Sequence, residues 1–204
     1  MLSFMSITVT ALHASARPGS NSKWLLDRAM ERLDRAATLR RVEVDWHVRS
    51  VVDLDVQPCV GCDDCRTTGR CSIGDDMDGL YPLLRSSQVI IVASPIFFRG
   101  LPSSLKAVVD RCQCLWADRF LLGLAGPTAG RRGLVLLAGA SRQDRDYQPA
   151  EGIMTAWFRS LGVSAHEVVR GQGLDREGEA AGRSDLVDRI DAAVSSLIED
   201  VVSR

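Results

Sequence analysis

No stretch of this 204-residue chain approaches the roughly 18 consecutive apolar residues of a membrane-spanning helix, so no helical membrane span is expected. Lysine is nearly missing: the 25 basic residues are almost all Arg, they are scattered, and 26 acidic residues bring the net charge to −1. A nucleic-acid binder gathers its basic residues into a stripe, so nucleic acid is not an expected partner. The opening MLSFMSITVTALHASARPGS lacks the basic n-region and unbroken apolar core of a secretory leader and reads as a short lead-in to a strand. The expected setting is cytoplasmic, where thiols stay reduced, which argues against disulfides among the six cysteines. No Walker A motif is present, and no G-x-G-x-x-G fingerprint; GQGLDREG (171–178) comes near but misplaces its third Gly. No internal repeat, triad or catalytic dyad is visible, so no catalytic residue is assigned.

What is present is the composition of an ordinary globular protein, 46% hydrophobic and 25% charged, with a length that suits one domain over 1–204. Strand and helix patterns alternate. SITVTAL (6–12) is β-branched, and VEVDWHV (42–48) alternates with period two. QVIIVAS (88–94) and RGLVLLAGA (132–140) are continuous apolar runs, as strands buried on both faces should be. A fifth strand is expected at 163–169. Helical spacing marks 22–38, 76–86, 103–116, 149–161 and 181–203; Pro82 implies a late start or a kink in the second of these. The Gly-rich stretches 123–133 and 170–182 read as loops. The fold class is therefore α/β: a three-layer, doubly wound, flavodoxin-like fold with a five-stranded parallel sheet in the order 2-1-3-4-5.

Ligands of such folds sit beyond the carboxyl ends of the strands, at the switch point. The loop there, HASARPGSNSK (13–23), is rich in hydroxyls and runs into a helix. Free N–H groups and the positive dipole end of a helix bind phosphate. Ser15, Ser20, Asn21 and Ser22 would add donors, Arg17 a charge, and Gly19 a tight turn. The plainer alternative is a helix cap on Ser20 or Asn21 and nothing more. The third-strand loop, ASPIFFRGLPSSLK (93–106), carries Pro95, Ile96, Phe97 and Phe98 where large apolar side chains are unusual. They suit a wall for a planar aromatic ligand; the alternative is that both Phe rings fold into the core or a subunit interface.

PCVGCDDCRTTGRC (58–71) crowds Cys59, Cys62, Cys65 and Cys71 into a C-x2-C-x2-C-x5-C pattern within an insert at 58–76. A tight loop with x2 gaps can supply three thiolates to a cubane, and the fourth returns after the turn at Gly69. Structural zinc takes two knuckles separated by a longer insert than this one. A reduced, metal-free loop is the remaining reading.

SARPGSNS (15–22), PCVGCDDC…GRCSIGDDM (58–77) and VIIVASPIFFRGLPSSLKAVVDRCQCLW (89–116) together resemble the NADPH-dependent FMN reductase family, and within it the iron–sulfur flavoproteins. The resemblance implies that FMN phosphate sits in the 15–22 loop and that the flavin ring lies against residues 95–98. It implies that Ala138 to Ser141, with Gly139 and Ala140 between them, flank the ring's other side. It also implies a [4Fe-4S] cluster on Cys59, Cys62, Cys65 and Cys71, close to a flavin across a subunit interface, and hence a homodimer or homotetramer. The family's usual GSPR appears here as ASAR (14–17), and a Tyr common in the third-strand loop as Phe97 or Phe98.

The expected function is that of an FMN-dependent oxidoreductase passing electrons from NAD(P)H or a reduced, ferredoxin-like protein to an acceptor. A cluster would serve as its one-electron relay. The alternative is a low-turnover electron carrier or a redox- or metal-sensing module. Cys112 and Cys114 read as packing residues, and His47 and His166 as structural. His13 borders the phosphate loop, Asp75 and Asp76 read as helix caps, and Asp110 and Arg111 as a pair or loop anchor.

Overall fold

The computed structural model describes residues 5–126 and 130–203. The start of the N-terminal lead-in and residues 127–129 of the expected loop lie outside the described residues. Five strands, β1 (Met5–His13), β2 (Val42–Ser50), β3 (Val89–Pro95), β4 (Arg132–Gly139) and β5 (Ala165–Gln172), form one sheet in the order β2-β1-β3-β4-β5. All four pairings are parallel, so the expected order holds. Among the described residues, six α-helices lie between the strands, α1 (Asn21–Leu39), α2 (Cys65–Thr68), α3 (Met77–Ser86), α4 (Ser103–Arg111), α5 (Gln113–Phe120) and α6 (Gln148–Ser160), and α7 (Ser184–Val202) follows the last strand. No helix among the described residues is long and apolar enough to cross a membrane.

The middle strands need to be apolar throughout because both faces are covered. Val89 to Ala93 and Leu134 to Leu137 are completely buried, and alternate residues serve opposite cores. Ile91 and Leu136 pack under α1 and α7, while Ile90, Val92, Val135 and Leu137 pack under α3 to α6. The chain changes face between the crossover after β1 and the one after β3. Their two loops diverge and open a cleft at the carboxyl edge.

Three expectations shift. The helix expected over 103–116 is two helices, α4 and α5, separated at Cys112 (ψ 8°). There the Cys112 N–H bonds back only as far as Val109 O, a tight turn that ends α4 and lets Cys112 O start α5. The last strand begins two residues late and runs into the Gly-rich stretch. Val163 N–H is spent on Phe158 O, closing the turn after α6, so pairing with β4 starts only at Ala165. The third shift is in α3, which starts at Met77 and continues past Pro82 to Ser86 without the late start the proline suggested. The carbonyl that Pro82 leaves without a donor belongs to Asp78, and both residues are exposed to water.

Candidate functional site

The carboxyl edge holds a cleft of about 480 Å³ between the β1–α1, β3–α4 and β4–α6 loops. One wall is the start of α1. Ser20 is its N-cap, accepting from Lys23 N–H at 3.2 Å. Its hydroxyl also lies 3.3 Å from Ser22 Oγ and 3.4 Å from His13 Nε2. Burial and the Lys23 charge hold the His13 imidazole below its ordinary pKa. Ser15 Oγ accepts from Arg17 N–H at 3.2 Å and fixes the bend before the Pro18–Gly19 turn. Ser15, Arg17, Ser20, Asn21 and Ser22 all line the cleft. The N–H groups of Asn21 and Ser22 belong to the first helical turn, where no upstream carbonyl within the helix can reach them. The Asn21 side chain faces elsewhere: its Nδ2 donates to Arg176 O at 2.8 Å and its Oδ1 accepts from Ala180 N–H at 3.0 Å. It pins the segment after β5 across the end of α1, so its side-chain amide is committed while its backbone stays at the cleft.

The facing wall is Pro95, Ile96 and Phe97 together with Ala138, Gly139 and Ala140. Ile96 N–H bonds Ala138 O at 2.8 Å, joining the two loops. Phe97 and Gly100 exchange both backbone hydrogen bonds around a two-residue turn. Its central residues, Phe98 (φ 50°) and Arg99 (φ 67°), lie in the left-handed region, where Asn-Gly is the usual pair. Holding two L side chains there costs roughly 1 kcal/mol or more each, so the surroundings must fix the turn. Arg99 does so, donating to Arg145 O at 2.7 Å and pairing with Asp146 at 3.2 Å. Asp146 in turn accepts from Ser141 Oγ at 2.6 Å. Phe97 is exposed at the lip. Phe98 is fully exposed and is not part of the cleft lining. Neither ring folds into the core, one of the two alternatives raised by the sequence; both stay exposed on the surface of the chain.

Tyr147 was not singled out in the sequence. Its buried hydroxyl lies 2.9 Å from Gly139 O and 3.0 Å from Ser141 O, shaping the β4–α6 loop from beneath. Burial pushes its phenol up to about 12. Glu177 carries no signal in the sequence. A Cβ on Gly19 would meet its carboxylate, so Glu177 lies against the β1–α1 loop of a cleft it also lines.

A second cavity, of about 220 Å³, lies between the cysteine insert and α5. Cys59, Cys62, Cys65 and Cys71 all line it, together with Arg111, Cys114 and Trp116. The loop bends at Gly61, Asp63 and Gly69, each at positive φ, and includes the short helix α2. Burial, followed by the charges of Cys71, Cys59 and Cys62, pushes the Cys65 thiol above its ordinary value. Soft thiolates in this number suit iron–sulfur or zinc chemistry. Among the described residues, no three His, Cys, Asp or Glu side chains are arranged to hold a single metal ion. Asp75 caps α3 through Met77 N–H at 2.9 Å, whereas Asp76 accepts from Asp55 N–H at 2.8 Å and closes the neck of the insert. Asp110 pairs with Lys106, and Arg111 with Asp75.

A doubly wound sheet with a hydroxyl-lined helix start facing an apolar shelf at its switch point defines a flavodoxin-like α/β protein. The chain belongs to the NADPH-dependent FMN reductase family, whose sequence pattern matches residues 7–163. It is 34% identical over 134 residues to an iron-sulfur flavoprotein of Methanosarcina thermophila, covering 66% of this chain and 64% of that one. It is 29% identical over 107 residues to an iron-sulfur flavoprotein of Methanocaldococcus jannaschii, covering 52% of each. The matched part thus spans about half to just under two thirds of the length of these two curated relatives. Among solved structures, an NAD(P)H:quinone oxidoreductase of Methanothermobacter marburgensis superposes with a TM-score of 0.65. That match covers 95% of this chain and 98% of that one at 15% identity, a likeness of fold.

Proposed function

We propose that this chain is an FMN-dependent oxidoreductase. It would take electrons from NAD(P)H or a reduced, ferredoxin-like protein and pass them to an acceptor, with a [4Fe-4S] cluster as one-electron relay. The observation that carries this reading is the single cleft in which the start of α1 faces the Pro95–Phe97 shelf. The hydroxyls of Ser15, Ser20 and Ser22, the first N–H groups of α1 and the Arg17 charge are suited to hold the phosphate. Asn21 contributes its backbone N–H, since its amide is engaged with the segment after β5. Pro95, Ile96 and Phe97, joined to the Ala138–Ala140 segment, form the shelf for the flavin ring, with Gly139 and Ala140 at its side; Phe98 stands outside the cleft. When bound, FMN supplies two-electron acceptance and one-electron release. The chain's own task is to orient the ring and limit water at its faces.

Cys59, Cys62, Cys65 and Cys71 are the residues that would hold the cluster; their shared cavity and the names of the matched relatives support this. The exposed side chains of Phe97, Phe98, Val60 and Leu124 support a homodimer or homotetramer. Anaerobic purification followed by a visible spectrum and by iron and sulfide assays tests the assignment. Flavin bands with a broad brown shoulder are expected, and Cys59→Ser should remove the shoulder and spare the flavin. A colourless protein refutes the FMN reading. Flavin without NAD(P)H oxidation, unless a reductase is added, favours the carrier alternative.

A further inference from the structure

We propose that Arg111 is the positioning residue of the cysteine insert and sets the reduction potential of the cluster through a charged hydrogen bond to Cys71. The proposal rests on the cluster reading above. Arg111 ends α4, and its side chain is completely buried. A guanidinium has five N–H donors in a rigid fork, and here each has an acceptor. Nε donates to Cys71 Sγ at 3.3 Å. Nη1 donates to Gln57 O at 2.9 Å and to Asp75 Oδ2. Nη2 donates to Ile73 O at 2.9 Å and to Asp75 Oδ1 at 3.2 Å.

These acceptors lie on both sides of the cysteine run: Gln57 two residues before Cys59, and Ile73 and Asp75 just after Cys71. One side chain therefore closes the neck of the insert and aims its remaining N–H at a ligand thiol. The backbone behind it is held as well, with Tyr81 OH donating to Arg111 O at 3.0 Å. Asp75 neutralises the buried charge and is itself satisfied by the N–H groups of Gln57 and Met77, both at 2.9 Å. Lysine would keep the charge but not the fork, so it could reach only some of these acceptors at once. Of the four thiols, Cys71 is the one that takes a guanidinium hydrogen bond among the described contacts. Cys62 Sγ instead meets the Ser72 hydroxyl at 3.4 Å.

The electrostatic consequence has a definite sign. Reduction adds one electron to the cluster and its thiolates, while Arg111 keeps its protons and no bond is made or broken. A fixed cation and an N–H···S bond favour the more negative, reduced form, so Arg111 raises the potential. Asp75 opposes it. Removing the two should therefore move the potential in opposite directions, which a loop that merely loosens would not do.

The test is a reductive titration, followed by EPR and visible absorbance, of full-length protein with measured iron and sulfide. Wild type is compared with R111Q, R111K and D75N. R111Q is expected to lower the reduced-to-oxidised ratio at a given potential by about tenfold, which is ~59 mV for a one-electron couple. R111K should fall between R111Q and wild type and carries the reading if R111Q does not load. D75N should shift the potential upward. Unmoved potentials in the Arg111 variants, or a downward shift in D75N, overturn the proposal while leaving the cluster assignment intact. If wild type loads and no variant does, Arg111 is a folding staple and the potential-setting role is overturned. A wild type without iron and sulfide overturns the cluster reading and this proposal with it.

Discussion

Ser20→Asp separates a phosphate site from a helix cap. Ser20 Oγ caps α1 through Lys23 N–H and lines the cleft, so either role alone would explain it. Aspartate caps a helix as well as serine does, and its charge suits the positive end of the dipole, so stability should be unchanged or slightly higher. A phosphate at the start of α1 would meet that carboxylate at about 5 Å. At an effective dielectric of 20, the repulsion is about 3 kcal/mol per unit of phosphate charge. With a charge near −1.5 and half of the repulsion lost to salt, FMN affinity should fall by roughly 50-fold or more. Ser20→Ala should behave differently. It loses the cap, about 1 kcal/mol and roughly 2–4 °C in Tm, and only one hydroxyl contact to the ligand. Flavin fluorescence titration gives the affinities and thermal unfolding the stabilities. An S20D protein that binds FMN within about threefold of wild type would show that the phosphate does not sit at the start of α1.

Two further consequences concern the core. Burial pushes the Cys112 thiol up to about 12 from its ordinary 9.0, so the folded state keeps a proton that the unfolded chain releases above pH 9. Its stabilisation is full below pH 9 and is lost as pH rises towards 12, by about 1.4 kcal/mol at pH 10. Urea midpoints between pH 8 and 11 should decline less steeply in Cys112→Ala, and an identical slope would refute this. At Gly133 in β4, an added Cβ would come within 2.6–2.9 Å of three atoms of the Phe158 ring, itself fully packed under the sheet. Gly133→Ala should therefore cost about 1–3 kcal/mol in thermal unfolding and leave FMN affinity alone; an unchanged Tm would mean that α6 yields freely.

The sequence by itself determined the class of fold. Fully apolar β3 and β4 announce strands covered on both faces, and the alternation of elements implies a parallel, doubly wound sheet. The order β2-β1-β3-β4-β5 follows the rule for such sheets. It also pointed to the two loops that meet at the carboxyl edge, because hydroxyls before a helix and apolar residues after a buried strand are local signals. Other features depend on partners distant in the chain. Asn21 reads as a phosphate donor until Arg176 and Ala180, about 155 residues away, take both ends of its amide. Phe98 reads as a ring wall until a left-handed turn swings it into solvent. Arg111 reads as a partner of Asp110 or a loop anchor, and only the folded insert shows which loop it anchors and that all five of its donors are spent there. Periodicity and motifs report what a segment does with its own neighbours. Which polar group satisfies which is settled only when burial removes water and every donor must find an acceptor within the fold.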